Sequence, residues 1–556
     1  MKKFYLSLII SMFLLMNICS AQRIIVNSED WRDVYSAMLY GNFNGESTDF
    51  LVSDKHATLI LNAIPKTESV KAFSSKKNPF IIGYKSILEN NGYSAEEYVY
   101  DGFNLELAKL LDVSNFIIID DAYGYNAISV APYAIVSESF VLFADRTNIR
   151  EVDNFLSDRV VDNLIIYGHV DREVKNTLQK YNPEVINKEG DRFLNNIEIV
   201  KKYQEIKHSK QAILTNGEFI EKEIMSGVEP VLFIGTNNVP DSISEYIQGS
   251  EIHIGVLIGN ELVGTATYIR RNVGISVFVK FAQGARAPKG AISQVEALDM
   301  FYLPTYILNI EIDSIKYNKA TNMLEVSIRN TEDQAVYFKG TYSLTDSAGF
   351  KQTVGDISPI FLDENELKTM TYEVEPMTEG NITGDVYIIY GESRKSMEKV
   401  IDTTFEIGTV EILDECDIKI NNLVYDKRKK TFYIELENIA DVTCYADVEL
   451  VDVLLDGELK NIGSEDIVEI QPGKKAKSKI KAKLEEEDID ENEIIKGKVH
   501  YGERKNALIK IKEFQFELVL KGFDYWTFTL ILVIIALLIL IYLKRKKKKE
   551  EREFLR

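Results

Sequence analysis

The chain has 556 residues, of which 45% are apolar and 27% charged, so it is long enough for several cores and has the composition of a globular protein rather than a disordered one. Three cysteines exclude a disulfide-dense scaffold. The net charge is −21; with +2 in the first 21 residues and +5 in residues 544–556, the stretch between carries −28, and a surface that acidic repels phosphodiester backbones, which argues against nucleic acid as a partner.

Lys2 and Lys3 precede an apolar run from Leu6 to Ile18 and the small-residue site Cys19-Ser20-Ala21. This order predicts a cleaved signal peptide over 1–21. From about residue 47 to 270, short β-branched runs alternate with helical patterns. Asn115–Asp120, Phe140–Ala144 and Leu164–Gly168 read as strands, and Ala212–Thr215, Val231–Gly235 and Ile254–Gly259 repeat them. Asn148 with Glu151 predicts a capping box for the helix between two of these strands. Continuous apolar strands separated by amphipathic helices predict parallel sheets covered on both faces. The strand ending at Gly168 recurs 91 residues later at Gly259. A weaker copy, with strands at Phe50–Ser53 and Pro79–Gly83, precedes both. The expectation is an α/β head of three units, over 22–100, 101–182 and 183–303.

The motifs of these units resemble the cell-wall-binding repeat type 2 family. Tyr125–Ala134 is similar to that family's F-A-D-A-L-S-A-A-P-L-A helix, and Phe140–Asp145 and Pro230–Gly235 to its P-I-L-L-T-D strand. Leu164–Gly168 and Val256–Gly259 are similar to its V-Y-I-I-G-G, and Gly190-Asp191-Arg192-Phe193 to the G-x-D-R-Y that opens a unit. Asn126 stands where the family has aspartate. The resemblance covers about 240 residues. It implies three repeats in a compact, trimer-like module that holds surface-layer and surface proteins to envelope polymers.

After Tyr302-Leu303-Pro304 the pattern changes to period-2 alternation, as in Met323–Arg329 and Lys430–Leu436, which predicts antiparallel sandwiches. Ile315–Tyr317 aligns with Leu423–Tyr425 at an offset of 108, and Tyr390-Gly391-Glu392 with Tyr501-Gly502-Glu503 at 111. Two tandem Ig-like β-sandwiches, over 304–410 and 411–520, are expected to form a stalk. Cys416 and Cys444 are the cysteines outside the leader. They either close a loop of about 28 residues, a bond permitted outside the membrane, or remain two buried thiols. Asn381-Ile382-Thr383 is a glycosylation sequon.

Tyr525–Leu543 carries no charge over 19 residues, about 28 Å as a helix, and six cations follow at once. This predicts one C-terminal transmembrane helix over 525–543, a basic cytoplasmic tail over 544–556 and an extracellular ectodomain, a single-pass type I topology.

Asp120 and Asp121 end one parallel strand and Asp145 another, at the edge where open α/β sheets place ligands. These carboxylates would bind a cation or a sugar, or else serve as helix-capping groups at solvated strand ends. The five histidines are scattered without an i, i+4 pair, which leaves zinc without a ligand set. Asp488, Asp490 and Asn492 have the spacing of a calcium loop but lack its glycine and its final carboxylate. No Gly-x-Ser-x-Gly elbow occurs. The expected function is therefore a non-enzymatic, cofactor-free, membrane-anchored envelope protein that contacts envelope polymer or surface-layer protein. The alternative is a receptor or solute-binding protein with Asp120, Asp121, Tyr123, Tyr125 and Asn126 lining a crevice.

Overall fold

The computed structural model describes residues 22–521, apart from 189, 260–261, 282–283, 287–294, 298 and 379, together with 537–544. The signal-peptide expectation and all but 537–543 of the expected transmembrane segment lie outside the described residues. Residues 537–544 are helical and exposed, and no helix among the described residues is long and apolar enough to cross a membrane. The described residues form two compact bodies, within Met1–Leu413 and Asp414–Arg556.

The first body opens with three four-stranded parallel sheets. The first comprises β1 (Gln22–Asn27), β2 (Ser47–Phe50), β3 (Ser69–Ser75) and β4 (Ser94–Tyr100), ordered β2-β1-β3-β4. β5 (Asn115–Ile119), β6 (Ser139–Phe143), β7 (Asn163–Tyr167) and β8 (Glu184–Ile186) form the second, ordered β6-β5-β7-β8. In the third, β9 (Gln211–Thr215), β11 (Val231–Phe233), β12 (Ile254–Ile258) and β13 (Ser276–Lys280) take the order β11-β9-β12-β13. The short β10 (Phe219–Ile220) leaves that sheet to pair with β16 (Phe301–Tyr302). A further hairpin pairs β14 (Gly284–Arg286) with β15 (Val295–Ala297). Each sheet thus places its second strand outside the first, the same strand order three times over.

The helices between the first two strands of each repeat are α1 (Trp31–Asn44) and α2 (Tyr125–Val136), and α4 (Arg192–Ile206) precedes the third sheet. α3 (Ile149–Ser157) follows β6, the single-turn α5 (Lys222–Met225) stands in the third repeat where α1 and α2 stand in theirs, and α6 (Asp241–Gly249) follows β11. Polar bonds, two of them buried, close the three repeats into a ring. Tyr35 Oη donates to the Ala127 carbonyl (2.9 Å), Asn196 Nδ2 to Ser129 Oγ (2.8 Å), and Asn42 Nδ2 to the Met225 carbonyl (2.8 Å). One apolar core runs through all three.

Three expectations are corrected here. Pro79–Gly83 is a turn, with Ile82 almost fully exposed; the strands of the first repeat begin instead at Gln22 and include β3 and β4. The boundary at 182 cuts off β8, which pairs with β7. Asn148 makes no cap to α3. Its Nδ2 donates to the Phe143 carbonyl and its Oδ1 accepts from Asp145 N, turning it back onto the strand end.

The rest of the first body is antiparallel for most of its pairings: β17 (Ile310–Asn318), β18 (Met323–Asn330), β19 (Val336–Thr345), β20 (Lys351–Gly355), β21 (Ile360–Leu362), β22 (Leu367–Glu373), β23 (Ile382–Gly391) and β24 (Met397–Val410). They run in the order β20-β19-β23-β24-β17-β18-β22, with β21 on β19. The long β24 joins both halves, pairing antiparallel with β23 and parallel with β17.

The second body repeats that plan. β30 (Lys475–Lys481), β26 (Thr431–Asn438), β25 (Ile418–Asp426) and β33 (Val519–Leu520) form one sheet, in that order. β28 (Glu458–Gly463), β27 (Cys444–Leu455), β31 (Ile494–Gly502) and β32 (Lys510–Glu517) form the other, with β29 (Val468–Ile470) on β27. The Sγ atoms of Cys416 and Cys444 are bonded, within the core of this body. Asp488 lies in the short α7 (Glu486–Glu491) as half of a capping box.

Candidate functional site

Parallel pairing brings the C-terminal ends of β5, β6 and β7 to one edge, and the residues singled out by sequence lie there. Asp120 accepts from Ala122 N at 2.7 Å, a local turn. Burial pushes its carboxyl above the ordinary range, reinforced by the neighbouring carboxylates of Asp121 and Asp171. Asp121 is paired with Arg32 Nη1 of α1 at 2.6 Å, tying the second repeat to the first. Asp145 accepts from Thr147 N, Thr147 Oγ1 and Asn148 N. Although burial alone would raise it, these donors hold its carboxyl below the usual range. Each of the three carboxylates already has a partner within the protein, and no cluster of metal-ligating side chains occurs among the described residues.

Tyr125 is covered by the chain itself. Gly124 N donates to the Pro304 carbonyl (3.1 Å), and a Cβ at Gly124 would lie 2.4 Å from Leu303 Cδ1. Tyr306 stacks edge-on against both Tyr123 and Tyr125, with centroids 5.2 and 5.3 Å away. The Arg192 guanidinium sits 4.0 Å above the Tyr125 ring, and burial pushes that phenol up to about 12. Tyr123 keeps one edge exposed. Asn126 packs against Gly168, where φ is +76° and a Cβ would come within 2.6 Å of Asn126 Nδ2. The strand-end glycine is thus required twice over. Asn381 is exposed at the start of β23.

Arg192 leads from this edge to the junction with the β23–β24 hairpin. Asp191 caps α4 by accepting from Phe193 N and Leu194 N, and it also accepts from Ser393 Oγ (2.5 Å) and Ser396 Oγ (2.6 Å). Arg192 Nη2 lies 2.5 Å from Glu398 Oε2, and Nε lies 3.4 Å from Glu392 Oε1. Asn237 N and Asn238 N donate to the Glu398 carbonyl. A Cβ on Gly235 would meet that oxygen at 2.4 Å.

Beside this junction lies a cleft of about 630 Å³, lined by Asn187, Lys188, Leu194, Ile197, Glu198, Lys201, Ser242, Glu245, Tyr246 and Lys395. α4 supplies Leu194, Ile197, Glu198 and Lys201 at helical spacing, and α6 supplies Ser242, Glu245 and Tyr246. Lys201 pairs with Glu198 at 2.7 Å. Ser242 Oγ is buried and makes no hydrogen bond among the described residues. It lies in the first turn of α6, where helical N–H groups lack intrahelical partners. Lys188, Lys201 and Lys395 bring three ammonium groups to this cleft against the two carboxylates of Glu198 and Glu245. Sequence reasoning passed over these residues because they come from three separated segments. The available signal was the mixed apolar and charged stripe on α4.

No family model matches the chain, and none of the curated proteins does. Among solved structures, it is similar to elastase-activated Escherichia coli alpha-2-macroglobulin at 10% identity over 43% of this chain and 24% of that one, with a TM-score of 0.15. Red sea bream transglutaminase gives 9% identity over 42% and 36% of the two chains, with a TM-score of 0.13. The periplasmic chaperone SfaE gives 13% over 38% and 100%, also with a TM-score of 0.13. The chain spans about a quarter of the macroglobulin and about a third of the transglutaminase.

Proposed function

We propose that this chain is a non-enzymatic, membrane-anchored cell-surface protein whose three-repeat α/β module binds envelope polymer or surface-layer protein through the cleft between α4 and α6. The repeated strand order of the three sheets, closed into a ring, carries this reading, since it agrees with the trimer-like module implied by the resemblance to cell-wall-binding repeats. The two following sandwiches are read as Ig-like spacer modules. The uncharged stretch 525–543 and its basic tail are read as the anchor. Large open clefts that mix apolar walls with a few polar groups are the usual place for ligand contact.

Retention of the ectodomain on isolated envelope material tests the proposal. Wild type is expected to be retained above an unrelated acidic protein, and a K188E/K201E/K395E variant to lose at least tenfold in retention. Equal retention of the variant removes the cleft from the proposal, and no retention of wild type removes the function.

The second reading, a solute receptor using the strand-end edge, draws on the exposed edge of Tyr123. A thermal-shift screen of sugars, nucleotides and metal ions separates the two, because a specific ligand in excess raises the melting temperature.

A further inference from the structure

The contact between α4 and the β23–β24 hairpin buries an unbalanced charge. The charged groups facing Glu392 are Arg192 and Asp191 from α4 and Glu398 from β24, so one cation meets three carboxylates. Tyr125 from α2, Tyr306 from the segment before β17 and Tyr390 from β23 close the cluster, and Glu218, from the loop after β9, faces Tyr125. These groups are not held alike. Asp191 accepts four hydrogen bonds, two from backbone N–H groups and two from the Ser393 and Ser396 hydroxyls. Glu398 takes the short bond from Arg192 Nη2. Among the described residues Glu392 has only long contacts, 3.4 Å from Arg192 N and 3.4 Å from Arg192 Nε. A mostly buried carboxylate so weakly served, its side chain 15% exposed, is the member of the cluster most readily neutralised.

We propose that this junction is a proton-dependent latch, in which a neutral Glu392 lets the first sandwich close over the Tyr125–Arg192 edge of the α/β module and a charged Glu392 loosens it. Burial, opposed by Arg192 and reinforced by Glu398 and Asp191, pushes the Glu392 carboxyl up to about 8 from an ordinary 4.5. The sign follows from linkage. Between these two values the closed junction holds a proton that the opened, solvated one does not. Closure is therefore strongest in mild acid and weakens as pH rises, by up to about tenfold in the opening constant per pH unit, levelling above about 8. The geometry makes the latch cover the strand-end edge that open α/β sheets use for ligands, so opening would expose the Arg192 guanidinium and the Tyr125 ring together.

Hydrogen exchange on the whole chain, corrected for intrinsic rates, reads the latch at residues 191–196 and 396–399, with β19 as the internal control. Wild type is expected to lose protection in both segments by at least tenfold between about pH 6 and pH 8 while β19 does not. Glu392→Gln, a neutral isostere, is expected to stay protected at both values. As a measurement on the unaltered chain, an infrared band of a protonated carboxyl is expected at about pH 6 and gone by about pH 9. Unchanged protection in wild type, an equal loss in Glu392→Gln, or a carboxyl spectrum identical in the two proteins would each overturn the latch.

Discussion

Glu138 has φ of +52°, just past the end of α2, where L-residues are strained and glycine is not. The matching positions after α1 and α5 are Gly45 and Gly227, at φ of +65° and +67°. The same left-handed turn therefore occurs in all three repeats, and only the second lacks the residue that fits it. Among the described residues its side chain makes no hydrogen bond or ion pair to offset the strain. Glu138→Gly is expected to raise stability by about 0.5–1 kcal/mol, read as a higher denaturant midpoint at unchanged m-value. A midpoint unchanged or lowered would mean that the glutamate contributes something its contacts do not reveal. Gly168 was legible in advance as the residue ending a strand. That Asn126 also demands it was not, because that demand comes from a helix 42 residues earlier.

Elements recur between the two sandwiches down to their irregularities. The pairing of β17 with β18 slips between Ile312 and Ser314, and that of β25 with β26 slips between Ile420 and Asn422, at the same 108-residue offset as the aligned sequence. The parallel pairing of the first strand with the chain's return recurs as well, Lys316 with Gly408 and Val424 with Val519. A conserved slip re-aims side chains and fixes register, so it is part of the plan of the domain. The second sandwich adds the Cys416–Cys444 bond. Replacing both cysteines by serine removes a crosslink over 28 residues and is expected to cost about 3–4 kcal/mol. The loss should appear only in the unfolding transition of Asp414–Arg556, leaving that of the first body in place. Strand periodicity made these sandwiches readable in the sequence. Repeat matching misled at Pro79–Gly83, where an apolar run bounded by proline and glycine forms a turn.

For the whole molecule, the first sandwich is built into the α/β module rather than appended to it. Gly235 lies where the two meet, with space for no Cβ against the Glu398 carbonyl. Gly235→Ala is expected to push the two apart, costing about 1–3 kcal/mol and splitting the unfolding of the first body into two calorimetric transitions. A single transition at the wild-type temperature would show that the contact is not coupled to stability. Expected separately, the head and the sandwich share the buried Asp191–Arg192–Glu392–Glu398 cluster. Arg192 and Glu398 are 206 positions apart in the chain.

The amino-acid order by itself determined the class of each module, since apolar periodicity decides helix or strand and duplication repeats the decision. It also marked the glycine that ends the second repeat's strand, Gly168. Only tertiary structure decided what became of the strand-end edge. Whether Tyr125 meets solvent or is covered depends on where Arg192 of α4 and Tyr306 are brought to rest, and long-range packing of that kind leaves no local pattern to read.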